Sequence, residues 1–125
     1  MTLHSPRIRP VTAVLYRGGE ALEREDLLAV EDPLEIRVRL AGDADERTLS
    51  MTMRTPGDDL ELAAGFLCTE GIVQRPDQIL ALAADRTHVR VDLAPGVRLP
   101  AAAPRRSFVM TSACGVCGRS SLEGL

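Results

Sequence analysis

Alternation of apolar and polar side chains is the strongest local signal in this chain. In "PLEIRVRL", Leu34, Ile36, Val38 and Leu40 fall on one side and Glu35, Arg37 and Arg39 on the other. That period of two predicts a half-buried strand. "AGDAD" reads as a turn, and "RTLSMTMR" alternates again with Leu49, Met51 and Met53 inward. Strand, short polar turn, strand is a hairpin pattern. "HVRVDL" predicts a further strand with Val89, Val91 and Leu93 inward, closed by Pro95-Gly96. Upstream, "VTAVLYR" (residues 11–17) reads as a strand ending at Gly18-Gly19. "EREDLLAVEDP" reads as a charged connection stopped by Pro33.

The period changes in "TPGDDLELAAGFLCTEGIV". Leu60, Ala63, Ala64 and Leu67 recur at helical spacing and predict an apolar stripe. Thr55 suits an N-cap, Pro56 the first helical position, and Gly71 a C-terminal stop. Asp58, Asp59 and Glu61 suit the positive end of the helix more simply than they suit an acid–base pair. Gly65, in mid-helix, suggests close packing on a sheet, and Cys68 beside the stripe reads as a small core residue. "RPDQILALAAD" predicts a helical turn leading into an edge strand. "APGVRLPAAAPRR" reads as loop, "SFVMT" as a short strand and "SSLEGL" as the start of a helix. Together these elements predict an α+β fold: a mostly antiparallel sheet of about five strands with one principal helix near residues 56–70.

Composition narrows the function classes. The 125 residues suit one domain or a piece of one, and 45% hydrophobic with 26% charged residues is a globular balance. No run is long and apolar enough to span a bilayer, and "MTLHSPRIRPVTAV" lacks the apolar core of a secretory signal. The expected location is cytoplasmic, with no membrane partner. Net charge is −3, all fifteen basic residues are arginine, and there are two Phe, one Tyr and no Trp. Without a basic tail or stacking aromatics, nucleic acid is a poor partner.

The candidate chemistry lies in "TSACGVCGRSS". Cys114 and Cys117 form a Cys-x-x-Cys pair, each followed by a glycine, Gly115 and Gly118. A structural zinc site needs four ligands, and Cys68, His4 and His88 have no partner at ligand spacing, so no tightly bound metal is expected within one chain. A thioredoxin-like arrangement places such a pair early, after a strand, whereas here it follows the predicted strands. Nucleophilic sulfur chemistry needs a thiolate. Arg105, Arg106 and Arg119 flank the pair, and Gly115 and Gly118 let backbone N–H groups approach a ligand. Two structural cysteines in a tight turn remain the plain alternative.

"TPGDDLELAAGFLCTEGI", followed by "SACGVCG" and preceded by "LAVEDPLEIRV", resembles the FdhD family, the sulfurtransferases that serve formate dehydrogenase. The resemblance covers nearly the whole chain and implies a persulfide relay. Sulfur would come from a cysteine desulfurase and pass to the molybdenum or tungsten bis-guanine-dinucleotide cofactor before its insertion into formate dehydrogenase. The family's cysteine pair maps onto Cys114, as persulfide carrier, and Cys117, as its assistant. Family members are considerably longer, and their second half carries most of the cofactor-binding residues. Residues 1–125 are therefore expected to be the N-terminal part of a larger two-part protein, ending just after the Cys-x-x-Cys loop and incomplete as an enzyme alone. The implied partners are the desulfurase, formate dehydrogenase and the molybdenum cofactor, with a homodimer left open. Two other readings stand beside this one: a non-catalytic cofactor-binding chaperone, and a metal-binding module that uses the cysteine pair.

Overall fold

A computed structural model describes residues 7–100. Two compact units divide them. One contains the residues up to Asp32 together with Arg54–Gly57, and the other contains Pro33–Met53 and the chain from Asp58 onward.

The first unit is built on a two-stranded antiparallel ribbon, β1 (Ile8–Arg17) and β2 (Glu20–Ala29). Every residue of β1 has a partner on β2, from Ile8 opposite Ala29 to Arg17 opposite Glu20. Gly18 and Gly19 both take left-handed φ values, 62° and 86°, the conformation of a two-residue hairpin turn. The glycine pair thus turns the chain back on itself, and the segment expected to be a charged connection is instead a full strand. Its charges hid it, because Glu23, Arg24, Glu25 and Asp26 leave no apolar period to read.

The second unit holds a four-stranded sheet in the order β4 (Arg47–Arg54), β3 (Asp32–Arg39), β6 (His88–Leu93), β5 (Ile79–Ala84). β5 lies at an edge, as expected, after a short 3-10 turn at Pro76–Gln78. β5 and β6 pair antiparallel, whereas β3 and β6 pair parallel, with Ile36 opposite Val89 and Val38 opposite Val91. Parallel neighbours require a long crossover, and the chain between β3 and β6 supplies it with β4, the helix α1 (Asp59–Thr69) and β5. The α+β class holds, with six strands in two sheets and one α-helix among the described residues.

The alternating positions of β3 and β6 form the core as their period predicts, whereas in β4 Leu49 and Met53 are only partly buried and Ser50 and Thr52 are buried instead. Leu34, Ile36, Val38, Val89, Val91 and Leu93 are buried in one cluster with Ala63 and Leu67 of α1. Met51 of β4 is also fully buried. The helix begins at Asp59 rather than Pro56, because Gly57 takes φ 148°, which no helical turn can include. Its end is as expected. Gly71 adopts φ 71° and donates its N–H to Cys68 O, while Ile72 donates to Leu67 O. That pair of bonds is a Schellman motif, sealed by Ile72 and Leu67 in the same core. Pro95-Gly96 closes β6 in a turn where Val97 N–H reaches Ala94 O, with Gly96 at φ 89°.

Two expectations about α1 fail. Gly65 is exposed, and a Cβ there would meet none of the described residues within 4 Å, so it does not pack on the described sheet. Cys68 is exposed rather than a core residue. The reason is angular: Ala63 and Leu67 point at the sheet, while positions 65 and 68 lie on the opposite side of the helix. The expected strand at 107–111, the helix near residue 120 and the cysteine loop lie outside the described residues.

Candidate functional site

α1 packs against one face of the four-stranded sheet, and the other face is polar. The odd positions of β3 and the even positions of β6 project there, since each alternates with a core residue. Parallel pairing sets Glu35 opposite His88, Arg37 opposite Arg90, and Arg39 opposite Asp92. The Arg37–Arg90 juxtaposition would be repulsive by itself. Glu46, in the loop before β4, resolves it by lying 3.5 Å from Arg37 and 3.6 Å from Arg90. Arg37 also donates to Glu35 at 2.7 Å, and Arg39 donates to Asp92 at 2.7 Å. The result is a continuous ladder of alternating charge across β3 and β6.

Glu35 is its most buried member, only 4% exposed. Burial alone would raise its carboxyl. The hydrogen bonds from Arg37 and Thr48, with the positive charges of Arg37 and His88, outweigh burial and hold it below the usual glutamate range. The same bond to Glu35 raises Arg37 further. At the far end, Arg90 Nε and Asp92 Oδ1 lie 3.3 Å apart but too poorly aligned to hydrogen-bond, leaving both buried atoms without such a partner. Ser50 Oγ on β4 is likewise buried without one.

The turn from β5 to β6 is organised by Asp85. Its Oδ1 accepts the N–H groups of Thr87 and His88 and the Thr87 hydroxyl. Its Oδ2 lies 2.9 Å from His88 Nδ1. The Thr87 N–H leads the effects that keep Asp85 acidic, against a smaller opposing push from burial. His88 thus opens β6 with a carboxylate partner that spacing arguments about metal ligands do not reveal. The Asp-x-Thr-His run of a tight turn was the available signal.

Chemically, this face is a charge network in which Glu35, Glu46 and Asp92 are each paired with an arginine. Glu35, its most buried carboxyl, is held acidic by its partners rather than raised toward neutral pH for acid–base work. No three of the described His, Cys, Asp and Glu residues are grouped to hold a metal ion. No described helix is long and apolar enough to cross a membrane. The described residues bring one thiol to the surface, Cys68 on the last turn of α1. The sequence-predicted residues Arg105, Arg106, Cys114, Gly115, Cys117, Gly118 and Arg119 all lie outside the described residues.

The model of the FdhD/NarQ family matches residues 29–125, a span that contains β3 to β6, α1 and the Cys-x-x-Cys motif. The sulfur carrier protein FdhD of Streptomyces coelicolor is 42% identical over 122 residues, covering 90% of this chain and 41% of that protein. The FdhD of Mycobacterium tuberculosis is 39% identical, covering 95% and 44%. An archaeal relative, FdhD of Sulfolobus acidocaldarius, is 36% identical over the same shares. Among solved structures, a protein of Desulfotalea psychrophila described as a formate dehydrogenase accessory protein superposes with a TM-score of 0.60 at 25% identity, over 70% of this chain and 38% of that one. The chain spans about two fifths of the length of the relatives it matches. With a family model covering most of its length and bacterial and archaeal relatives at this level of identity, the chain belongs to the FdhD/NarQ family.

Proposed function

We propose that this chain supplies the sulfur-accepting part of a sulfur carrier that serves formate dehydrogenase maturation. The observation that carries the reading is "CGVCG" at residues 114–118, inside the span matched by the family model. The names of the relatives, sulfur carrier proteins, support the class of chemistry.

In the accepting step, the Cys114 thiolate attacks the outer sulfur of a persulfide on a cysteine desulfurase. A sulfur–sulfur bond forms at Cys114, the donor's sulfur–sulfur bond breaks, and the donor cysteine leaves as a thiolate that takes up a proton. Such an exchange is fastest when the attacking thiol has a pKa near ambient pH. Arg105, Arg106 and Arg119 favour the thiolate by charge, while Gly115 and Gly118 keep the loop open to a partner's reactive group. Cys117 assists as the neighbouring thiol. The acceptor is the molybdenum bis-guanine-dinucleotide cofactor, a substrate here, and its positioning falls mainly to parts of the longer family members beyond this span. The relay takes place in the cytoplasm.

Intact-mass spectrometry after incubation with a desulfurase and L-cysteine tests the reading. The chain should gain the mass of one sulfur, and Cys114→Ala should abolish the gain. Cys68→Ala is the decisive control, because Cys68 is itself exposed. Sulfur that persists in Cys114→Ala and disappears in Cys68→Ala would move the function to α1.

A further inference from the structure

Seven of the ten large hydrophobic residues exposed on the described surface belong to the β1–β2 ribbon: Ile8, Val14, Leu15, Tyr16, Leu22, Leu27 and Leu28. They fall on both faces, because the register puts Val14, Tyr16 and Leu27 on one side and Leu15, Leu22 and Leu28 on the other. Both outer edges are unpaired among the described residues, since the sheet is two strands wide.

The two edges are not equivalent. Val30 N–H donates to Arg7 O at 2.8 Å, so residues 7 and 30 form a hydrogen-bonded pair. Alternation along an antiparallel ladder then makes 9/28, 11/26, 13/24, 15/22 and 17/20 the other hydrogen-bonded pairs. The residues between them turn their backbone groups outward. On β1 these are Ile8, Pro10, Thr12, Val14 and Tyr16, and on β2 they are Ala21, Glu23, Glu25, Leu27 and Ala29. Pro10 therefore removes an outward donor without weakening the ribbon, which blunts the β1 edge. The β2 edge has no proline and keeps all its outward donors and acceptors.

Charge separates the edges further. β2 carries Glu20, Glu23, Glu25 and Asp26 against one arginine, Arg24. Arg24 is committed to Asp26 at 2.7 Å, which leaves Glu23 and Glu25 without an ion pair among the described residues. Both glutamates stand at outward-facing positions on one face. Two copies joined edge to edge through β2 would oppose these carboxylates: pairing centred on Arg24 sets Glu23 against Glu25, which is destabilising. The edge thus repels its own copy and attracts cations.

We propose that the free edge of β2 is a strand-addition site for an extended basic segment of a partner protein, with arginine or lysine at alternate positions and apolar residues between them. Backbone groups of Glu23, Glu25 and Leu27 hydrogen-bond the incoming strand. Its cationic side chains lie beside Glu23 and Glu25, and its apolar ones cover Leu22 and Leu28 on the other face. This is β-augmentation, in which main-chain bonds supply affinity and alternate side chains supply specificity. The site lies in the ribbon, outside the span of the family model apart from its last residue, Ala29.

The test uses the full chain and a fluorescent peptide of alternating arginine and valine as long as β2, with binding read by anisotropy at low salt. The wild type should bind this peptide and ignore one of alternating glutamate and valine. Replacing both outward carboxylates (Glu23→Gln with Glu25→Gln) should weaken binding about fivefold. A fully N-methylated arginine–valine peptide keeps its charge and loses its donors, so it should bind at least about tenfold more weakly to the wild type. Equal binding of the methylated peptide would reduce the site to non-specific charge attraction and overturn the proposal. So would a failure of the wild type to bind, or a dimer in which the β2 edges of two copies cross-link to each other.

Discussion

The ribbon and the four-stranded sheet put the same secondary structure to opposite uses. β1 and β2 are ten residues each and pair along their whole length, yet nearly every side chain on them is exposed. β6 is six residues long, yet Val89, Val91 and Leu93 are all but sealed from solvent. Backbone pairing by itself therefore makes no core. A hydrogen bond exchanged for one with water contributes little net stability, whereas a buried branched side chain contributes about 1.5–3 kcal/mol. The sheet has a helix on one face, and a two-stranded ribbon is marginal without cover.

The largest test of this contrast sets Leu67 against Leu22. Leu67 is fully buried between α1 and the sheet, so Leu67→Ala should cost about 2–5 kcal/mol in urea unfolding. Leu22 sits on the ribbon and is 55% exposed, and Leu22→Ala should stay within about 0.5 kcal/mol. Equal losses would mean that the ribbon is part of a core after all.

The polar face of the sheet offers the next effect. Glu35→Gln keeps the shape but removes the charge that Arg37 and Thr48 engage, and should cost about 1–2 kcal/mol at neutral pH. The folded carboxyl is depressed relative to the unfolded one, whose ordinary value is 4.5. Its stabilisation is therefore complete above about pH 4.5 and fades as pH falls through the lower folded value. The variant's deficit should shrink in acid, as read from denaturation midpoints between neutral pH and the acid range. A deficit that stays constant with pH would assign the loss to packing rather than charge.

Two glycines of the helical segment give smaller and opposite effects. Gly71→Ala should destabilise by about 1 kcal/mol, because φ 71° strains any residue with a Cβ even though the space around it is open. Gly65→Ala should stabilise by up to about 1 kcal/mol, since alanine is the better helix former and its methyl would meet nothing. Thermal melts of the two variants should shift in opposite directions. A loss of stability in Gly65→Ala would show that something packs against the outer side of α1.

The local rules of the chain were legible without the fold. Alternation in β3 and β6 named the apolar core residues, because a period of two places alternate side chains on one face whatever the sheet contains, whereas in β4 only Met51 of the expected inward residues is buried, beside Ser50 and Thr52. The end of α1 was legible at Gly71, where only a residue lacking a Cβ takes a left-handed φ cheaply. The motif that carries the proposed chemistry, "CGVCG", was visible as residues and spacing alone.

Periodicity says which residues share a face and not what lies opposite that face. The exposure of Cys68 and the open space at Gly65 were decided by which side of α1 meets the sheet. The near-complete burial of Glu35 depended on Arg37 and Thr48 closing over it. β2 emerged because two left-handed glycines turned β1 back on itself, so that backbone pairing formed a strand where the side chains carried no apolar period. The parallel contact between β3 and β6 joins segments some fifty residues apart, as the bond from Arg39 to Asp92 shows. No local signal encodes such a pairing, because the two parallel strands are joined only through the long crossover of β4, α1 and β5.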